Sequence, residues 1–254
     1  KEMGLDRPVS EQMLNYYKNV LSGNLGESII LKKPVTSLIK ERMGATIELA
    51  FLSMAIAICL SLPLGIISAV RAGTFMDFIA STFALSAVSI PNFWLGPLMI
   101  LFFSLYLGWL PVANREGWDS YILPALTMGM ALAAALSRMT RNSVLENLNE
   151  DYVRTARAKG NSEKIVVCKH VLRNAALPLV TVIGLQFGVL LSGAIVTEKV
   201  FNWPGLGSLL LTGIENRDYP IVQGMVLLFS ATYLLVNLMT DLTYALIDPR
   251  IKLK

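Results

Sequence analysis

Residues Asp151–Pro178 read DYVRTARAKGNSEKIVVCKHVLRNAALP, a basic stretch set between two long apolar ones, and that alternation decides the architecture. Just upstream, Ile122–Ser137 holds no charged residue, and just downstream Asn174–Thr197 holds none either. Further out, Ile79–Leu107 and Tyr219–Thr240 are also free of charge, and Ala45–Val70 carries only Glu48. Across its 254 residues the chain is 54% hydrophobic and 16% charged, against about 25% charged for a soluble domain. A spanning helix takes roughly 20 apolar residues. In hydrocarbon the backbone must bond within its own segment, so helix is the expected form. The reading is an all-α polytopic membrane protein with five spans, the third the shortest.

Lysine and arginine placement gives an orientation. With Ser137–Asn174 in the cytoplasm, Arg71, the eight basic residues of that segment, Arg250, Lys252 and Lys254 all fall inside. The short outer loops Gly108–Ser120 and Glu198–Asp218 hold only Arg115, Lys199 and Arg217. The net charge of +4 thus reflects membrane orientation, and nucleic-acid binding is not expected. Residues 1–44 read as an extracytoplasmic segment of short amphipathic helices and turns, with Leu14, Tyr17, Val20 and Leu21 at helical spacing and a turn-rich break at SGNLGES, Ser22–Ser28. Residues 45–254 form the transmembrane domain, with a cytosolic loop at about 137–177. Cys59 falls in a span and Cys168 in the cytosolic loop, so neither a disulfide nor a metal site is expected.

The spans are interrupted by Pro63, Pro91 and Pro97 and by Gly184, Gly188 and Gly193, residues that kink helices or let them approach closely. Ser89, Asn92, Gln186 and Asn237 are polar positions within spans, and with the acid Asp241 they are the candidates for a translocation pathway. Glu48 and Asp241 are costly in hydrocarbon, yet each lies near a helix end, within reach of interfacial water or a partner. The spans contain no central carboxylate and no His, which argues against proton-coupled transport. They hold no paired acids or metal-ligand cluster, which argues against intramembrane hydrolysis. A phosphate-binding Gly-rich loop with Lys is absent from the sequence, so ATP is not expected to bind this chain.

Within the quoted stretch, Asn149 is positioned to cap a helix whose first turn carries Glu150 and Asp151. Tyr152, Thr155, Ala156 and Lys159 follow at i, i+3, i+4 and i+7. Gly160 ends the helix by taking a left-handed cap, and Ser162 opens a second one, with Ile165, Val166, Val171 and Leu172 on its apolar side. The small residues Thr155, Ala156 and Ala158 would let another protein's groove close over the short helix. Chemistry alone leaves two readings open: a socket for a soluble partner, or an amphipathic elbow on the membrane surface.

The loop resembles the coupling loop of ABC transporter permeases. Against the general pattern, Glu-Ala-Ala, three residues, Gly, nine residues, Ile-x-Leu-Pro, alignment on Gly160 keeps Ala156 and Leu172. The dipeptide/oligopeptide (peptide/nickel) branch is much closer, since it reads EDYVRTARAKG and then HxLRNAxLP. GLDRP and GNLG near the start, SIPNFWLG at Ser89–Gly96, LGWLP at Leu107–Pro111, FNWPGLG at Phe201–Gly207, RDYPIVQG at Arg217–Gly224 and DPRI at Asp248–Ile251 resemble that branch in order and spacing, and most closely its first, B-type, membrane subunit. That subunit normally has six spans, the first ahead of GLDRP, so a sixth, N-terminal span is expected to be missing here.

The resemblance implies a type I importer in the prokaryotic inner membrane. Two homologous permeases would form the pathway, two cytosolic ATPases carrying ATP and Mg would drive it, and an extracytoplasmic binding protein would deliver the solute. This chain would be the non-enzymatic translocation subunit, with no cofactor of its own and membrane lipid around it. Asp151, Tyr152, Arg154, Thr155, Ala156, Arg157, Ala158, Lys159 and Gly160 would contact the ATPase. Trp203, Pro204, Gly205, Arg217 and Asp218 would dock the binding protein or line an outer gate, although Trp203, Pro204 and Gly205 could instead simply form a tight turn. Di- and oligopeptides are the first expectation for the cargo, with nickel chelates, glutathione or another small solute as alternatives. The different-class rivals are a non-transport membrane scaffold and a channel working without ATP.

Overall fold

The computed structural model describes residues 8–191 and 195–247. Gly193, DPRI and the basic C-terminus lie outside them, as does most of GLDRP. In order, the helices are α1 (Val9–Leu21), α2 (Val35–Val70), α3 (Phe75–Ser89), α4 (Asn92–Met99), α5 (Ile122–Leu148), α6 (Asp151–Ala158), the single turn α7 (Glu163–Ile165), α8 (Leu172–Leu191), α9 (Ile195–Val200), α10 (Leu206–Glu215) and α11 (Tyr219–Ile247). A π-helical stretch, Ile100–Tyr106, extends α4, and another, Val166–Val171, joins α7 to α8. Four stretches are continuous and apolar enough to cross a membrane: Val35–Val70, Trp118–Leu148, Glu163–Leu191 and Tyr219–Thr243.

The remaining expected span, Ile79–Leu107, is broken. α3 stops at Ser89, Ile90 and Pro91 are extended, and α4 begins at Asn92. Proline removes a ladder donor and pushes the residue before it out of the helical region, so the break falls where SIPN places it.

Two boundaries differ from the sequence reading. α2 starts at Val35, ten residues ahead of the expected span, so the 44/45 division falls inside a helix. The charges near that boundary are accommodated at its first turns, where Lys33, just ahead of α2, pairs with Glu41 and Arg42 donates to the Ser208 hydroxyl. The third span is not the shortest. α5 runs 27 residues, through Arg138 and Arg141 to Leu148. Arg141 of α5 donates to Asp77 of α3 from both Nε and an Nη at 2.8 Å. Ser68 of α2 also donates to Asp77, and the Gly73 N–H reaches it at 2.9 Å. This cluster ties the α2–α3 turn to α5.

α5 is the central rod. α2 crosses it closely at two glycines: a Cβ on Gly129 would lie 2.8 Å from Ile56 Cγ2, and one on Gly65 2.5 Å from Thr140 Cβ. Lipid offers no hydrophobic drive for association, so small residues at crossings let van der Waals packing hold the bundle. Leu49, Met54, Met128, Leu136 and Trp203 fill the middle layer. Val35, Leu38 and Ile39 pack with Leu206, Leu209, Ile221 and Met225 at one end. Ala69, Val144, Val153, Val166, Val171 and Ala175 pack at the other.

Candidate functional site: an elbow at one end and a buried hub at the other

α6 begins after Glu150, whose extended backbone occupies the N-cap position. Asn149 does not cap it. Its amide turns back to the Leu145 carbonyl at 3.1 Å and closes α5 instead. α6 ends at Gly160, whose φ of +79° is the left-handed conformation that only glycine takes without strain. Asn161 secures the turn by donating to the Ala156 carbonyl at 3.0 Å. Ser162 stands at the N-cap of the next turn, and Arg157 grips Glu163 across the bend at 2.7 and 3.3 Å.

The elbow has two faces. Val153 and Ala156 are buried against Ala69, Val144, Val166, Val171 and Ala175, and the half-buried Tyr152 donates to Asn147 Oδ1 at 2.8 Å. Ala156 is therefore not available to a partner's groove; it seats the elbow on its own bundle. Asp151, Arg154, Thr155, Ala158 and Lys159 are exposed at i, i+3, i+4, i+7 and i+8, a single stripe. Arg154 is held loosely by Asp151 at 3.4 Å, both side chains well exposed.

The pathway candidates divide between two places. Ser89 is exposed at the end of α3, and Asn92 opens α4, its side chain outside the described residues. Gln186 is half-buried on α8, and Asn237 and Asp241 sit one turn apart on α11, which packs closely on α8 where Gly184 meets Thr240. Among the described residues, Asn237 Oδ1 is buried with no hydrogen-bond partner, whereas Asp241 is exposed.

At the opposite end the structure builds a hub that sequence reasoning missed. Glu198 is completely buried. It accepts from the Thr46 hydroxyl and the Ser208 N–H, each at 2.8 Å, so its carboxylate caps the N-terminus of α10, where the helix dipole favours negative charge. Thr46 in turn accepts from the Leu206 N–H at 2.8 Å. Burial pushes the Glu198 carboxyl above the ordinary glutamate range, opposed by the Ser208 and Gly207 N–H groups, the Thr46 hydroxyl and the charge of Arg42.

The docking candidates resolve differently from the sequence expectation. Trp203 is buried, donates to the Ala45 carbonyl at 2.9 Å and meets Tyr121 edge-on at 4.7 Å. Gly205 is buried beneath Glu198. Asp218 is buried too, and accepts from Ser28 Oγ at 2.5 Å and the Ile30 N–H at 3.2 Å. Burial raises its pKa, but Ser28 and the Ile30, Ile29 and Ile221 N–H groups outweigh this and leave it below the ordinary carboxylate range. Pro204 and Arg217 are exposed, whereas Trp203, Gly205 and Asp218 are buried. The signal that could have revealed the hub was an acid, Glu198, seven residues before the first glycine of PGLG.

Taken together, the described helices form a bundle with four stretches long and apolar enough to cross a membrane, and a packed elbow between two of them. Residues 61–253 match the family described as the binding-protein-dependent transport system inner membrane component, and the chain belongs to it, as a permease subunit of an ABC importer. It is 50% identical, over its whole length and 83% of the relative's, to the glutathione transport system permease protein GsiC of Pectobacterium atrosepticum. It is 48% identical over the same shares to its counterpart in Escherichia coli K12. Among solved structures it superposes on the inward-facing MetNI methionine ABC transporter with a TM-score of 0.70 at 19% identity, over 84% of this chain and 97% of that one. An amino acid ABC transporter crystallised with histidines gives 0.61 at 15%, over 85% and 95%. These likenesses establish the type I importer fold.

Proposed function

We propose that this subunit, with a homologous second permease, forms the pathway of an importer for small peptides, including tripeptides of the glutathione kind. The 50% identity to a glutathione permease supports that cargo over nickel chelates. Two separate ATPase subunits hold ATP and Mg, an extracytoplasmic binding protein supplies the solute, and this chain hydrolyses nothing. The elbow and the C-terminus face the cytoplasm, and residues 1–44 and the α9–α10 hub face outward. Ser89, Asn92, Gln186, Asn237 and Asp241 belong to the pathway, while Pro204 and Arg217 meet the binding protein.

The observation that carries the reading is α6 itself, with one stripe exposed and the other face locked to the inner ends of α2, α5 and α8. An ATPase gripping Asp151, Arg154, Thr155, Ala158 and Lys159 moves the bundle as a rigid body, because Val153 and Ala156 cannot slip past their neighbours. Arg157 and Gly160 fix the bend through which that grip acts.

The test is ATP hydrolysis by the complete importer in lipid nanodiscs, with and without loaded binding protein. Proline cannot reach the φ of +79° at position 160. Gly160→Pro is therefore expected to abolish stimulation by the binding protein while the subunits stay assembled. Gly160→Ala, with strain of about 1 kcal/mol, should give an intermediate loss. Undiminished stimulation in an assembled Gly160→Pro complex would show that the elbow is only a scaffold.

A further inference from the structure

At the outer end lies a cleft of ≈ 490 Å³, within the roughly 300–1,000 Å³ of small-molecule sites. Arg42 of α2 and Glu116 of the outer loop contribute its charges, Asn114 and Asn202 its amides, and Trp203 and Pro204 an apolar wall. Most other charged groups in the cleft are committed. Arg115 pairs with Glu48, Lys199 with Glu215 at 3.1 Å, and Glu198 is turned onto the α10 amides. Among the described residues neither Arg42 nor Glu116 has an ion-pair partner. Arg42 is instead posed by the Ser208 hydroxyl at 3.2 Å, on the same helical face as Thr46 of the hub.

A cleft offering one guanidinium and one carboxylate without ion-pair partners, an amide pair in which Asn202 donates to Asn114 at 2.6 Å, and an apolar wall matches a molecule with a carboxylate, an ammonium and peptide bonds. We propose that it is an outer subsite for a small zwitterionic peptide, whose carboxylate is held by Arg42 and whose ammonium is held by Glu116. This rests on the peptide reading above and adds a stopping place on this subunit between the binding protein and the membrane. A guanidinium holds a carboxylate through two parallel hydrogen bonds, so recognition depends on Arg42 more than on net charge. Arg42 and Ala69 lie on one helix, about 40 Å apart at 1.5 Å per residue, so the subsite is at the far end from the elbow.

The test uses the complete importer in nanodiscs with the binding protein left out, titrated with glutathione and with trialanine by ligand-observed NMR. Trialanine amide, which lacks the carboxylate, is the ligand-side control and does not depend on any variant folding. Saturable binding of both acids at millimolar concentration is expected. Roughly tenfold weaker binding is expected for the amide and for Arg42→Gln. Arg42→Lys should recover part of the loss, and the surface variant Lys33→Gln should change nothing. Binding that survives Arg42→Gln, or that treats acid and amide alike, overturns the proposal. So does an absence of free-peptide binding accompanied by loss of binding-protein stimulation in Arg42→Gln, which would make the occupant an acidic side chain of the binding protein. ATP-driven uptake of the same peptides, with the binding protein restored, reports on the peptide reading separately.

Discussion

A methyl group at position 205 has nowhere to go. A Cβ there would lie 2.2 Å from Glu198 Oε1, and at position 207 it would lie 2.8 Å from the Ile195 Cα. The glycines of PGLG are thus required by a buried carboxylate and by the neighbouring backbone, and turn conformation is not the reason. Gly205→Ala is expected to cost about 1–3 kcal/mol through overpacking, seen as a lowered unfolding temperature in detergent. Gly23→Ala offers a contrast, since nothing lies within 4 Å there and only its φ of +77° opposes the change, so its loss should be smaller. The motif was legible in the sequence as a turn. Its cause was not, because Glu198 meets Thr46 across 152 positions, and no local pattern encodes such a contact.

Among the elements, the α2–α3 turn depends most on one interaction. Asp77 is 7% exposed and accepts from Arg141, Ser68 and Gly73. Removing one partner of such a pair leaves the other charge uncompensated. Asp77→Asn should destabilise by roughly 2–4 kcal/mol, less than a fully buried pair would lose because the Arg141 side chain keeps 27% exposure. Asp77→Asn combined with Arg141→Gln should cost clearly less than the two single changes added together, as thermal unfolding of all four proteins would show. Arg141 also shows the limit of charge counting. The apolar runs located the four continuous candidate spans and SIPN the break in the remaining run, but nothing local showed that a basic residue of α5 pairs with an acid of α3. The elbow was the most legible element, since Gly160 ends it as read, but the expected face of Tyr152, Thr155, Ala156 and Lys159 splits, with Ala156 buried and Thr155 and Lys159 exposed. What the spacing could not assign was which side faces inward, because that depends on Ala69, Val144 and Ala175 from other helices.

For the molecule as a whole, orientation is the property most open to direct test. Cys168 is exposed beside the elbow, and Cys59 is exposed on α2 within the apolar span. A membrane-impermeant maleimide should label Cys168 in inside-out vesicles and leave it unmodified in intact cells, with Cys59 unlabelled in both. Labelling of Cys168 in intact cells would reverse the topology proposed above. The length of α2 has a mechanical consequence. Its 36 residues trace about 54 Å of helix along its path, against a hydrocarbon layer of about 30 Å. Rocking such a helix by about 5° about its centre swings each tip by roughly 2 Å, in opposite senses. One tip carries Arg42 and Thr46 and the other carries Ser68 and Ala69, so α2 joins a load at each end through one continuous helix, with Pro63 its one built-in weak point. Free energy passed along it obeys reciprocity: whatever a grip on α6 does to the affinity of the outer end, an occupant of the outer end does equally to the grip.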